Sequence, residues 1–319
     1  MSFTSIVKNE VSQIELNDIE KISELSAIVI SGSIIEDDII KISTENSNIA
    51  KKIYNLLKDL FHVRPSITMR KGYNYQKNHL YILQIKEKVN KILDELGLLE
   101  KNNILTKTKS YIIDDEESLR SYIRGIFLMT GSINDPKTSR YHLEFLVDNE
   151  DLANFIMELL NKFYLNSKVL KRENKYMIYI KEAEKIGDFL RVINANNAVM
   201  YYEDIRIYRD HKNMTNRLNN CEQANVERTI QTANTQIEDI ELIIEHMGLN
   251  LLNEKERMVA EYRLKYKDVS LLELSEIISI ETNKPITKSG LYHRFKKISD
   301  CLFCSFSPLR RWFSARSDG

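Results

Sequence analysis

The sequence predicts an α+β domain built from a duplicated unit, followed by an all-α domain that carries a helix-turn-helix. Three observations lead there. Two helical apolar runs, residues 24–34 (ELSAIVISGSI) and 123–133 (IRGIFLMTGSI), stop at the same Gly-Ser-Ile. The same succession of strand and helix patterns follows each run, which marks an internal repeat. Past residue 248 the pattern turns wholly helical, in three short capped segments, the last with a basic outer side.

In chain order, Gly32 and Gly131 stand in the place of a helix C-cap, one in each copy. A strand-like run at 39–44 (IIKIST) leads into a helix at 48–57, and its counterpart at 141–147 (YHLEFLV) leads into 151–160. Apolar residues at 49, 53, 56, 57 and 60 carry helical spacing, and 152, 156, 159, 160 and 163 repeat it. An alternating strand closes each unit, 80–86 (LYILQIK) and 175–181 (KYMIYIK), followed by a helix near 89–96 and 183–193. Two helix-strand-strand-helix units facing each other give two small sheets and a pseudo-twofold axis.

After residue 197 the pattern changes. Arg206, Arg209, Lys212 and Arg217 gather around His211 as a candidate second basic surface. Either they contact a partner or they form salt bridges to the acidic stretch that follows. That stretch, 221–247, is polar and helix-prone, with Ile230, Ile237, Ile240 and Ile244 forming one narrow apolar stripe. Such a stripe suits a connector helix packed on one side only, ended by Gly248. The expected divisions are an N-terminal helical segment (1–20), the duplicated domain (21–200), a basic segment and connector helix (201–248), the helix-turn-helix domain (249–300) and a tail (301–319).

Bulk properties agree. A chain of 319 residues suits two domains. Scarce Gly (9) and Pro (4) favour long helices. No apolar run has the length to cross a bilayer, and the first residues lack a signal-peptide layout, so a cytoplasmic protein is expected. Cys221, Cys301 and Cys304 form no disulfide framework. Net charge is zero but unevenly spread: residues 287–319 carry a net of +5 and residues 220–246 a net of −5. Merely solvated faces, or a polyanionic partner for the basic end, both fit that asymmetry.

The helical module is read from its caps. Asn253-x-x-Glu256 and Ser270-x-x-Glu273 have capping-box form, and Thr287 is a plausible N-cap for the third helix. The first helix buries Val259, Tyr262 and Tyr266; the second buries Leu271, Leu274, Ile277 and Ile278; the third turns Leu291, Phe295 and Ile298 inward. At 100° per residue the outward side of the third helix then carries Ser289, His293, Lys296 and Lys297, flanked by Lys288, Tyr292 and Arg294. Hydroxyl, imidazole and amine groups on the N-terminal half of a helix are what contact with base edges and phosphates requires. A basic surface helix without a partner has the same pattern. Between the second and third helices, residues 279–286 outrun the three- or four-residue turn of the simplest helix-turn-helix. Either the second helix runs further or the turn is expanded.

These residues bring the chain close to a known family. Residues 123–136 (IRGIFLMTGSINDP), 141–160 and 175–187, the stretch 216–225 (NRLNNCEQAN) with 236–240 (QIEDI), and 287–298 (TKSGLYHRFKKI) resemble the WhiA family of sporulation regulators, over nearly the whole chain. The resemblance implies a degenerate LAGLIDADG homing-endonuclease-like domain joined to a helix-turn-helix similar to that of sigma factors. It implies a DNA-binding transcriptional regulator of sporulation, or of cell division and chromosome segregation, and not an enzyme. The implied partner is double-stranded DNA, with another regulator or RNA polymerase as a candidate protein partner. No cofactor, membrane or small-molecule substrate is implied. A non-catalytic scaffold in cell division and a residual metal-dependent nuclease are the rival readings.

The nuclease reading can be tested on residues. LAGLIDADG enzymes place one carboxylate at the foot of each repeat helix, just before its terminal Gly, to share metals for phosphodiester cleavage. The matching positions are Ser31 and Thr130, neither of which supplies an anionic ligand. Asp135 reads as a turn residue ahead of Pro136. Residues 114–117 (DDEE) read as first-turn helix charge in preference to a metal cluster. Cys301-x-x-Cys304 with His293 offers at most three zinc ligands. The tail, with Trp312 and three Arg, is either a further aromatic-basic DNA contact or a segment that folds apart from the rest.

Overall fold

In the computed structural model, which describes residues 2–36, 38–71, 79–101, 103–138, 140–246 and 248–306, the chain divides into Met1–Asp210 and His211–Gly319. The first unit is α+β and the second all-α, as the sequence predicts.

The first unit opens with helix α1 (Phe3–Val11). Its first repeat runs α2 (Asp18–Gly32), β1 (Ser33–Glu36), β2 (Ile39–Thr44), α3 (Ser47–Phe61), β3 (Ser66–Lys71), β4 (His79–Ile85) and α4 (Val89–Glu95). A short β5–β6 pair (Leu99–Glu100, Asn103–Ile104) leads to the second repeat. There follow α5 (Glu116–Thr130), β7 (Gly131–Ile133), β8 (Leu143–Val147), α6 (Glu150–Lys162), β9 (Lys168–Arg172), β10 (Lys175–Ile180) and α7 (Ala183–Val192). Each repeat forms a four-stranded antiparallel sheet, ordered β1-β2-β4-β3 and β7-β8-β10-β9. The expectation of two strands per repeat is therefore corrected. In each copy the Gly-Ser-Ile itself enters a short strand, β1 or β7, and an exposed edge strand, β3 or β9, completes the sheet. Alternating residues such as Ile40 and Ile42, or Ile178 and Ile180, face the helices and build one shared core.

The two repeats meet along α2 and α5. Backbone approach is close enough that a Cβ on Gly125 would sit 2.5 Å from the Glu24 carbonyl oxygen. The terminal glycines differ. Gly131 is the C-cap of α5 in an extended conformation (φ −81°), but Gly32 is the last residue of α2 and Ser33 its C-cap, and neither glycine has positive φ. A Cβ at Gly131 would meet the Phe127 ring and its backbone carbonyl, whereas one at Gly32 would meet only the flexible Met129 side chain.

Helix α8 (Asn196–His246) spans the division between the units. The second unit continues with α9 (Glu254–Lys265), α10 (Leu271–Thr282) and α11 (Lys288–Phe306). Helix α11 thus reaches into the segment read as a separate tail, while residues 307–319, with Trp312 and the three Arg, lie outside the described residues. Along α8 the buried stripe is Ala233, Ile237, Ile240 and Ile243. Of the expected set, Ile230 and Ile244 are exposed, because the buried side follows the 3.6-residue turn.

Candidate nucleic-acid interface

The second unit has a small core formed by Ile240 and Ile243 of α8, Val259 and Ala260 of α9, Leu274 and Ile278 of α10, and Leu291, Phe295, Ile298 and Leu302 of α11. Both expected capping boxes form. The Asn253 side chain accepts from the Glu256 amide at 3.0 Å, and Ser270 from the Glu273 amide at 3.3 Å, with each glutamate reaching back to its cap residue. A charged residue lies at the centre. Arg263 is wholly buried; its Nε donates to Gln236 Oε1 at 3.0 Å and its Nη1 to the Val269 carbonyl at 2.8 Å, with the guanidinium over the Phe295 ring. Burial lowers its pKa. Arg263 thereby joins α8, α9 and α11. Asp239 of α8 adds a hydrogen bond from Ser299 of α11.

Of the two alternatives for the turn between α10 and α11, the second helix runs further, and what remains is one residue longer than the simplest turn. Helix α10 runs to Thr282, leaving five residues, with Asn283 left-handed (φ 53°) as the helix C-cap. Ser279 closes the turn. Its hydroxyl accepts from the Ile286 amide at 2.9 Å and lies 2.6 Å from the Ser275 carbonyl. Thr287 caps α11, accepting from the Gly290 amide at 3.2 Å.

With Leu291, Phe295 and Ile298 locked inward, α11 leaves Lys288, Ser289, Tyr292, His293, Lys296 and Lys297 exposed. Tyr292 and His293 meet edge to face, ring centroids 5.9 Å apart. Arg294 is half-buried, with Nη1 shielded from solvent.

The four residues of the second basic surface do not act alike. Arg206 donates to Glu203 at 2.7 Å and lies 3.8 Å from Asp210, and the Glu203 contact raises its pKa. Arg209 donates to the Pro136 carbonyl at 2.7 Å and to the Thr138 carbonyl, and its guanidinium stacks 4.6 Å from the Tyr141 ring centroid. Arg209 thus ties α8 to the segment 136–141, whereas both partners of Arg206 lie on α8 itself. The acidic stretch after residue 220 is not their partner in these contacts. Lys212 and Arg217 are exposed.

At the feet of the repeat helices, Ser31 donates to the Ala27 carbonyl at 2.6 Å and Thr130 to the Ile126 carbonyl at 2.9 Å. Asp135 accepts from the Lys137 amide at 2.9 Å and forms the expected turn. Asp115 caps α5, while Glu116 pairs with Arg120 at 2.6 Å. Sequence reasoning passed over the outer faces of the sheets. On the second sheet, register places Lys175 and Tyr179 of β10 with Lys168 and Arg172 of β9 on the face away from the core. Only Val169 of β9 is partly buried, so its sequence offered no clear alternation by which to find this face.

Family comparison accounts for both units. Residues 18–99 match the profile described as the WhiA N-terminal LAGLIDADG-like domain, residues 119–212 the WhiA LAGLIDADG-like domain, and residues 215–302 the WhiA C-terminal HTH domain. The chain is 41% identical over 304 residues to the probable cell division protein WhiA of Staphylococcus aureus strain JH9, covering 94% of this chain and 96% of that one. The same protein of strain Newman matches equally. Among solved structures, full-length DUF199/WhiA from Thermatoga maritima superposes with a TM-score of 0.57 at 27% identity, over 94% of this chain and 98% of that one. The chain belongs to the WhiA family.

Proposed function

We propose that this protein is a DNA-binding transcriptional regulator acting in the control of cell division or sporulation, and that α11 is its reading helix. The observation that carries the reading is the two-sidedness of α11. Its apolar side is fixed in the core, and its outer side presents Ser289 and His293 between the cations Lys288, Lys296 and Lys297. In a major groove, Ser289 and His293 meet base edges, while Lys288, Tyr292, Arg294, Lys296 and Lys297 meet phosphates or the groove walls. Lys212 and Arg217 are the remaining cations of the second basic surface. The site of action is the nucleoid, in the cytoplasm.

The test is quantitative binding of the full chain to its mapped genomic sites over a series of salt concentrations. A Lys288/Lys296/Lys297 triple Ala variant should lose affinity for all sequences and flatten the salt dependence, by about one unit of log-log slope per lost phosphate contact. Ser289→Ala or His293→Ala should cost about 1–3 kcal/mol at cognate sites and relax base preference. A triple variant that keeps full function in cells would favour the scaffold reading. The protein is further proposed not to be a nuclease. The Ser31 and Thr130 hydroxyls are neutral and turned onto their own helix carbonyls, where a hard divalent cation needs anionic oxygens. Supercoiled plasmid with Mg²⁺ or Mn²⁺ should remain uncut.

A further inference from the structure

Beside the α2–α5 contact, one carboxylate serves two cations. Glu24 of α2 is wholly buried, with Oε1 2.8 Å from Nζ of Lys52 on α3 and Oε2 2.6 Å from Nε of Arg124 on α5. Both cations are buried as well. Their other partners are neutral: the Lys52 amine donates to the Val11 carbonyl at 3.2 Å, and Arg124 to Ser121 Oγ at 2.8 Å. The buried group thus sets two basic side chains against one carboxylate, an excess of one positive charge when Lys52 is protonated. Charges on the surface are screened by water and salt, but an excess charge in the interior is not.

Lys52 is 8% exposed, and that remaining surface borders open space. It lines a cleft of about 610 Å³ that opens between residues 12–16 and the outer side of α3. That volume is in the range of small-molecule sites, roughly 300–1,000 Å³. Lys21 and Lys51 stand at the cleft with the amides of Gln13 and Asn55, and Ile14 and Leu56 supply apolar wall. Lys21 is paired with Asp18 at 3.1 Å. Among the described residues Lys51 has no ion pair, and the side-chain amides of Gln13 and Asn55 have no hydrogen bond. Glu15 and Asp59 also line the cleft and repel any anion, which confines one to a ligand small enough to sit at Lys51 and Lys52 and disfavours a nucleic-acid backbone.

We infer that this cleft binds a small ligand through an oxyanion, a phosphate or a carboxylate, seated against Lys52 and Lys51 with the Gln13 and Asn55 amides as further donors. The oxyanion supplies the negative charge that the buried Glu24–Lys52–Arg124 group lacks. Burial holds the Lys52 amine below the ordinary lysine pKa, and a bound anion opposes that effect. Because Glu24 and Arg124 belong to different repeats, an occupant also stabilises the α2–α3–α5 contact by mass action. The site is independent of whether α11 reads DNA.

The experiment titrates the full chain calorimetrically with inorganic phosphate, and separately with citrate, against sodium chloride at matched ionic strength. Saturable binding of either anion is expected, with slowed amide exchange in α2 and α3, and the tighter anion identifies the oxyanion preferred. Lys51→Gln should weaken it about tenfold, the worth of one charge-assisted contact, and Lys52→Met should abolish it. Lys51→Gln and Asn55→Ala lie at the surface and carry the test if Lys52→Met does not fold. A Lys296→Gln/Lys297→Gln variant should leave the titration unchanged, separating this cleft from cations on α11. The inference is overturned if neither anion binds beyond the chloride control, or if Lys51→Gln and Asn55→Ala both titrate like the parent.

Discussion

Replacing Glu24 by Gln keeps the shape of the side chain and removes its charge, which isolates what the buried carboxylate does. Glu24 has no solvent exposure and its two ionic contacts are 2.8 and 2.6 Å long. At an effective dielectric near 20, each unit-charge pair at about 4 Å is worth about 4 kcal/mol before desolvation. The substitution forfeits both attractions and leaves Lys52 and Arg124 repelling each other in the interior. Side-chain relaxation and water entry recover part of that loss, so the net destabilisation should be about 3–5 kcal/mol, as for other buried pairs deprived of one partner. Since a domain is commonly stable by only about 5–15 kcal/mol, this is a large share. The chain has two units and global unfolding need not be two-state. The assay is therefore native-state hydrogen exchange at the α2 and α5 amides, alongside urea denaturation followed by far-UV circular dichroism. A triple variant, Glu24→Leu with Lys52→Met and Arg124→Met, should recover most of the loss, because it removes every charge. Parent-like protection of α2 and α5 in Glu24→Gln, within about 1 kcal/mol, would refute the reasoning, since that is the worth of an exposed pair.

Three further outcomes follow from individual contacts. Gly125→Ala should destabilise the first unit by about 1–3 kcal/mol in thermal melts, as overpacking does, because the new Cβ would meet the Glu24 carbonyl at 2.5 Å and the Ala27 Cβ at 2.7 Å. Ser279→Ala removes the acceptor of the Ile286 amide; the unpaired amide should cost about 1–3 kcal/mol and speed amide exchange across 283–287 while α9 stays protected. Lys8→Met should show a pH-dependent gain. Burial pulls the Lys8 amine down to about 8, so the unfolded chain holds its proton more firmly than the folded one. Below pH 8 charged Lys8 opposes folding, and that penalty fades as pH rises to the unfolded value near 10.5. The stability advantage of Lys8→Met in urea titrations should thus be greatest near neutral pH, at most about 3 kcal/mol, and vanish by about pH 10.5. The Phe127 ring near the amine reduces it.

How much was legible in the sequence depended on contrast between buried and exposed sides. The strands β2, β4, β8 and β10 alternate against a core and were found within a residue or two, as were α6 and α7, while α3 runs four residues past its expected end, to Phe61. Strands β3 (SITMRK) and β9 (KVLKR) lie at sheet edges with most side chains exposed, so their burial leaves no clear alternation to read. The caps of α9, α10 and α11 were legible because Asn253, Ser270 and Thr287 act locally. Arg263, Glu24 and Lys52 were not, because a buried charge depends on partners far away in sequence, such as Gln236 for Arg263. On α11 the sorting of inward and outward residues survived everywhere but at Arg294, a flank position whose long side chain folds partly inward.

The duplicated unit is most informative where its twofold symmetry fails. Aligned on Gly-Ser-Ile, Ser31 matches Thr130, and both spend their hydroxyls on the carbonyl four residues back. At the helix crossing the copies diverge. Gly125 matches Ser26, whose hydroxyl instead ties α2 to the Leu96 carbonyl at 2.8 Å, and Arg124 matches Leu25. Neither repeat could pair with a copy of itself in this way, since the crossing needs one bare backbone and one acid-base contact between unlike partners. The same asymmetry reaches the cleft. Where the first repeat has Lys52, the aligned residue of α6 is Phe155, whose ring packs edge to face on Tyr122 at 6.1 Å. One repeat fills that position with apolar contact and the other keeps a desolvated cation beside an open cleft. Neither Lys52 nor its partner Glu24 has a counterpart in the twin repeat, where Phe155 and Ile123 stand, so the contact arises from pairing unlike repeats, and of its three members only Lys52 also borders the cleft.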